Sequence, residues 1–349
     1  MRFCGPKARV FLIVYTFFAR IARFLRKDPP ISAIPTRILL CCFGSLGDVV
    51  LATSLLCYLR NTFPKSHIAF LCEPNSISAL EGVMVDKVYT APNWMHGSLL
   101  RSLMHFFLYS FFDYPRIARS LRSYDLAIDC HLFFPNALPI LRKARIPQRI
   151  AFQESPFSIW ATDSISLPCH LTYLPDMYPH LLACYATTAP TTPSLSHKDY
   201  LVLHIGTSDP RKQWAIASWK ELIVYLRKLS YTLIFTGRGH DEASMLNLLE
   251  VPQEERCFSS FTTFKTTIEQ ARALISVDSV SVHLGALTHT PTVALYLYNE
   301  TLDLWLPNRS YMRFIVKNRC CYQHSHPLAT YVDEISVDVV IQAFNDLCP

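Results

Sequence analysis

Asp48 follows a short glycine turn, Gly44-Ser45-Leu46-Gly47, which closes the apolar run Ile38 to Phe43. A strand, a loop and the first turn of a helix would set this carboxylate at the carboxyl end of a sheet, where open α/β sheets bind ligands. Glycine lets backbone come close to a ligand there. A loop built only to cradle phosphate would not carry a negative charge beside a helix N-terminus, whose dipole favours the ligand's anion. Asp48 is therefore either a helix N-terminal stabiliser or a general base.

Three later junctions carry comparable chemistry. Gly206-Thr207-Ser208-Asp209-Pro210-Arg211-Lys212-Gln213-Trp214 follows an expected strand end. Its hydroxyls, its amides, Arg211 and Lys212 suit an anion, and they equally suit an ordinary polar loop. Asp278-Ser279-Val280-Ser281-Val282-His283 reads as a strand-to-helix junction whose cap and amides can hold a phosphate, with His283 one turn on. Gly237-Arg238-Gly239-His240-Asp241-Glu242 places two acids after a strand, as ribose acceptors or as the cap of a tight turn. The chain has neither Gly-x-x-x-x-Gly-Lys-Ser/Thr nor Gly-x-Gly-x-x-Gly, and no two aspartates stand two apart to chelate a metal–nucleotide pair. Cys320-Cys321-Tyr322-Gln323-His324-Ser325-His326 has ligand residue types without zinc spacing.

These residues need parallel strands to carry them. Apolar runs at 37–43, 67–72, 86–89, 124–130 and 149–152 alternate with helical patterns at 48–61 and 98–112. A proline-rich stretch from Pro168 intervenes, with a short helix expected near His180 to Tyr185. A second alternation follows: strands 200–205, 231–236, 274–277 and 292–297, and helices 217–229, 241–249, 266–273, 280–288 and 336–347. Such alternation implies parallel sheets covered by helices. At 349 residues the chain can form two domains, each with a full core.

Net charge is +6, and mean hydropathy is +0.19. Clusters at Arg2 to Lys27 and Arg142 to Arg149 suit anionic lipid or a phosphorylated substrate better than duplex nucleic acid. Twelve cysteines without a Cys-x-x-Cys pair fit a reducing compartment. Val10 to Phe18 is too short to span a bilayer, which needs ~20 apolar residues. With Arg20, Arg23 and Arg26 following, the segment reads as an interfacial helix, the alternative being a helix packed on the protein's own core.

In their order, the Gly-Asp loop, the Lys-x-Trp loop and Asp-Ser-x-x-x-His before Thr-Pro-Thr-Val-Ala-Leu-Tyr resemble the ADP-heptose:lipopolysaccharide heptosyltransferases, glycosyltransferase family 9. The resemblance runs from about Arg37 to the C-terminus. It implies an α/β fold of the GT-B type, two Rossmann-like doubly wound domains facing across a cleft. After the basic amphipathic membrane-associating segment that the residue pattern places at 1–34, the implied organisation is an acceptor-side domain at 35–170, a linker at 171–198 and a nucleotide-sugar-binding domain at 199–349. The implied reaction is inverting and metal-independent, with no cofactor: a sugar, heptose in view of the family, passes from an ADP-sugar to the lipopolysaccharide inner core. Asp48 would be the general base, in an acceptor loop with Gly44, Ser45 and Gly47. Thr207, Ser208, Lys212, Asp278, Ser279, His283 and either Asp241 or Glu242 would hold the donor. Partners would be the nucleotide sugar, a lipid-linked oligosaccharide acceptor and the anionic cytoplasmic face of the inner membrane.

The chain departs from the family at Val280, where glycine is usual, and at Leu297-Tyr298-Asn299-Glu300, where Gly-Pro-Thr is common. Residues 1–36 are extra to the pattern. Another nucleotide-sugar donor, or an inactive nucleotide-sugar-binding or membrane-scaffold protein, are the alternatives. A nucleic-acid module is disfavoured, because no basic groove interleaved with stacking aromatics can be traced.

Overall fold

The computed structural model describes Thr16, Arg20 and residues 34–92, 112–133, 136–187, 198–298, 301–307, 309–317 and 332–348. The chain divides into two compact units, Met1–Thr191 and Thr192–Pro349.

In the first unit β1 (Arg37–Cys42) leads into α1 (Leu46–Ala52) and α2 (Ser54–Thr62). Then come β2 (His67–Cys72), β3 (Lys87–Thr90), α3 (Tyr114–Ser120), β4 (Leu126–Asp129), α4 (Leu138–Ala144), β5 (Gln148–Phe152), β6 (Asp163–Ile165) and α5 (Leu174–Met177). All the pairings are parallel, in the order β3-β2-β1-β4-β5-β6. Central strands covered on both faces read as unbroken apolar runs, which is why Ile38 to Phe43 shows no alternation.

The second unit comprises β7 (Tyr200–His204), α6 (Ile216–Lys228), β8 (Thr232–Thr236), α7 (His240–Leu248), β9 (Arg256–Cys257), α8 (Phe261–Glu269), β10 (Ala273–Val277), α9 (Val280–Leu287), β11 (Thr292–Leu297), β12 (Met312–Lys317) and α10 (Val337–Asn345). Its sheet, β12-β11-β10-β7-β8-β9, is parallel too. Numbered from its own first strand, this is the same order as in the first unit. In both sheets the order reverses beside the first strand, between β1 and β4 and between β7 and β10. Doubly wound sheets bind ligands at that point.

Several local expectations are corrected. The single helix expected at 48–61 is two. The hydroxyls of Thr53 and Ser54 donate to the carbonyls of Val50 and Leu51, at 2.6 and 2.7 Å, and such back-bonding bends helices. The helix expected at 266–273 begins earlier, at Phe261, because Ser260 caps it by accepting from the Thr263 amide at 3.2 Å. The short helix expected near His180 to Tyr185 lies slightly earlier, as a 3-10 turn of helix at Tyr178–Leu182 that continues α5, with Tyr178, Leu181 and Leu182 buried. The edge strand β12 has no continuous apolar run to reveal it, since Arg313 and Lys317 interrupt it and every residue after Met312 is only half-buried.

Most of the hydrophobic helix expected at 98–112 lies outside the described residues, as do nearly all of the N-terminal segment and the Cys320 to His326 cluster. Among the described residues no helix is long and apolar enough to cross a membrane. Cys41, Cys42 and Cys130 are buried, and burial pushes their thiols well above the ordinary range. They pack as small hydrophobes and carry no thiolate for chemistry.

Candidate functional site

In the first unit the loop after β1 is arranged around Asp48. Its Oδ2 accepts from the amide of Ser45 at 2.6 Å and from the Ser45 hydroxyl at 2.7 Å. The carboxylate thus stabilises the start of α1, as the structural alternative for Asp48 expected. Oδ1 accepts no hydrogen bond among the described residues. The two roles are therefore compatible, one oxygen fixing the side chain and the other left for a proton. Gly44 is required here, because a Cβ on it would stand 2.4 Å from Asp48 Cβ. Its carbonyl is tied down by the Ser76 hydroxyl at 2.9 Å.

Across the strand-order reversal, β4 ends in Asp129, which is fully buried and was not singled out from the sequence. Its Oδ1 accepts from the His131 amide at 3.1 Å and its Oδ2 from the Ala137 amide at 2.9 Å. Burial pushes its carboxyl up to about 7, against the pull of those amides. His131 is buried as well. Burial lowers its pKa, and the negative charge of Asp48 opposes the shift, so the two groups sense each other. The only sequence signal for Asp129 was a polar residue closing the apolar run Leu126-Ala127-Ile128.

In the second unit the loop after β7 meets the loop after β10. Lys212 Nζ lies 2.7 Å from Asp278 Oδ2, and the Thr207 hydroxyl approaches the Asp278 carbonyl at 3.4 Å. Trp214 explains the spacing of the Lys-x-Trp loop. Its indole is fully buried, donates to the Ile335 carbonyl at 2.8 Å and packs edge-on to Trp219 at 5.0 Å. Two residues before this anchor, Lys212 is held at the strand ends. Arg211 turns instead to Asp209, with Nη2 2.7 Å from Oδ2, and Ser208 is exposed.

Ser279 stands at the N-cap position of α9 without a side-chain bond to the helix amides, and its hydroxyl lies 3.2 Å from His204 Nε2 instead. His283 follows on the buried side of the helix, its ring 6.1 Å from Trp305. The two candidate acids after β8 separate clearly. Asp241 is exposed, whereas Glu242 lies over the strand ends: a Cβ on Gly206 would meet its Cγ at 2.7 Å, and one on Gly237 its Cβ at 2.8 Å. Lys212, Asp278, Ser279 and Glu242 thus collect along the carboxyl ends of β7, β8 and β10. A cation, a helix N-terminus and an acid in that order match a diphosphate followed by a ribose. Among the described residues no cluster of three or more His, Cys, Asp or Glu is placed to hold a metal ion.

Residues 170–327 match the model of glycosyltransferase family 9 (heptosyltransferase). Several solved structures share the fold. A family 9 glycosyl transferase from Veillonella parvula is 20% identical, with 92% of this chain and 98% of that chain covered and a TM-score of 0.65. The E. coli heptosyltransferase WaaC with ADP is 15% identical, with coverages of 89% and 98% and a TM-score of 0.65. E. coli ADP-heptose lps heptosyltransferase II is 17% identical, with coverages of 89% and 98% and a TM-score of 0.63. No curated protein matches in sequence. The resemblance drawn from the motifs is upheld, and with it the α/β fold of the GT-B type and the class of enzyme, a glycosyltransferase.

Proposed function

We propose that this protein is a family 9 glycosyltransferase that transfers a sugar, a heptose, from an ADP-sugar to the inner core of lipopolysaccharide, with inversion and without a metal ion. The observation that carries the reading is the set Lys212, Asp278 and Ser279 at the strand-order reversal of the matched half. It offers positive charge and amide donors where a leaving diphosphate develops charge. Two E. coli relatives named for ADP-heptose or solved with ADP favour that donor class. Glu242, packed on Gly206 and Gly237, is the ribose acceptor in preference to the exposed Asp241. Thr207 and His283 complete the donor set, and Ser208 contributes least.

The acceptor hydroxyl attacks the anomeric carbon, the bond to the ADP oxygen breaks, and the hydroxyl proton passes to Asp48. Oδ2 stays bound to Ser45 while Oδ1 takes the proton. The acceptor is a lipid-linked oligosaccharide at the cytoplasmic face of the inner membrane, and residues 1–34 attach the protein there through apolar and basic side chains. Incubation with ADP-heptose and lipid acceptors, followed by mass spectrometry, tests the reading. A mass increase of one heptose is expected, and ADP-heptose left intact with a competent acceptor would overturn it.

A second reading, donor binding without transfer, is favoured by Val280, which puts a branched side chain at the first turn of α9 where the family usually has glycine. Tight ADP-heptose binding with no turnover would select it.

A further inference from the structure

His204 closes β7 and Ser279 opens α9 just beyond β10, so the pair spans the strand-order reversal of the second sheet. His204 Nε2 is 3.2 Å from Ser279 Oγ, and Nδ1 is 2.9 Å from Thr236 Oγ1 at the end of β8. The ring is 6% exposed and packs on Phe264 at 5.3 Å between centroids. Burial pushes its pKa down to about 4, partly offset by hydrogen bonding to the backbone of Gly206 and Thr236. At neutral pH the imidazole is uncharged, with one donor and one acceptor nitrogen. It therefore adds no positive charge for an anion, unlike Lys212. What it does supply is an anchor: a serine hydroxyl otherwise samples three rotamers.

We propose that His204 is a positioning residue for the nucleotide donor, a neutral strut that holds the Ser279 hydroxyl in place for the diphosphate while Thr236 fixes the ring. This rests on the reading of Ser279 as a diphosphate contact. Pre-setting the hydroxyl removes part of the ordering cost of binding. Three strand ends, β7, β8 and β10, then act on the ligand through one hydrogen-bonded line, Thr236–His204–Ser279.

ADP binding by calorimetry on the full chain tests it as a double-mutant cycle over His204→Ala, Ser279→Ala and both together. Each single change is expected to weaken ADP binding roughly three- to tenfold, the scale of one hydrogen bond. The double variant should be no weaker than Ser279→Ala alone. His204→Gln, whose amide reaches the position of Nε2, should recover part of the loss, and Thr236→Val should lose affinity in the same direction. The salt dependence of ADP binding should be unchanged in His204→Ala and flattened in Lys212→Ala. If Ser279→Ala binds ADP like the wild type, the underlying donor reading fails. If Ser279→Ala is weakened but His204→Ala costs the same in both backgrounds, the donor reading stands and the role of His204 is overturned. Should His204→Ala fail to fold, the same cycle run with His204→Gln decides between these outcomes.

Discussion

Lys212 Nζ and Asp278 Oδ2 stand 2.7 Å apart, an ion pair that ties the loop after β7 to the loop after its neighbour β10. Asp278 is only 12% exposed on its side chain, so solvent screens the pair weakly. The lysine is thus aimed before any ligand arrives, and its carboxylate partner moderates its charge. A bound diphosphate would share this cation with Asp278.

Lys212→Ala is expected to weaken ADP binding by roughly 1.5–3 kcal/mol, the scale of a charge-assisted hydrogen bond. The loss includes the exposure of the diphosphate to an uncompensated Asp278, so Asp278→Asn in the same chain should restore part of it. Lys212→Arg should not restore it fully, because a guanidinium fork replaces a compact ammonium. Calorimetry with ADP checks all three, and unchanged affinity in the alanine variant would reject the assignment.

Asp48→Asn should lower turnover by ~100-fold or more while leaving ADP affinity unchanged, since an amide cannot take the acceptor's proton. Asparagine can still accept from Ser45 through its one oxygen, so the thermal midpoint should move little. Gly44→Ala should also depress turnover, because its Cβ would meet Asp48 Cβ at 2.4 Å and displace the carboxylate. Steady-state rates at matched acceptor concentration provide the measurement, and wild-type turnover in Asp48→Asn would remove the base from Asp48.

Stability should respond to pH in opposite senses at two buried groups. Asp129 has a folded pKa of about 7 against 3.8, so the folded chain binds more protons between those values. Its contribution is fully present below that range and is lost as pH rises through about 7. His204 has a folded pKa of about 4 against 6.5, so the folded chain binds fewer protons. Its contribution is present above about 6.5 and is lost as pH falls towards 4. His131 adds a shift of the same sign as His204. Urea unfolding of Asp129→Asn and His204→Gln across pH 4 to 7.5, compared with the wild type, isolates each slope. A variant whose pH profile parallels the wild type would show that its group titrates normally.

Removal of residues 1–34 should release the protein from anionic liposomes without unfolding it. The chain is secured immediately afterwards: the Pro35 carbonyl accepts from Ser66 at 2.7 Å, and the Thr36 amide and hydroxyl both donate to Asp125 Oδ2 at 2.8 Å. Basic side chains near such a surface contribute roughly 1 kcal/mol each. Sedimentation measures the effect. Equal pelleting of intact and truncated chains would show that the segment is not the anchor, and insolubility without lipid would make it part of the core.

Much of this arrangement was legible in the sequence because central parallel strands need continuous apolar runs and their loops need glycine, hydroxyl and charge. β1, β2, β7, β10 and β11 all announced themselves that way. The edge strand β12, half-buried and charged, had no such signature, and Ser260 hid a helix start among hydroxyls. Asp129 and His204 were passed over for one reason. Each is a polar residue ending an apolar strand, and its meaning depends on a neighbouring strand distant in sequence. Likewise, the choice between Asp241 and Glu242 turns on which side chain lies over Gly206, a contact that periodicity cannot supply.

The repeated strand order gives the chain two units of one topology. Each unit has its own buried cluster, one around Leu39 and Leu141 and the other around Leu203 and Trp219, and its own reversal point. If the second unit holds the nucleotide and the first the acceptor, as proposed above, a hybrid that joins residues 1–191 to the second half of a relative should inherit that relative's nucleotide preference while keeping the recipient's taste in acceptor.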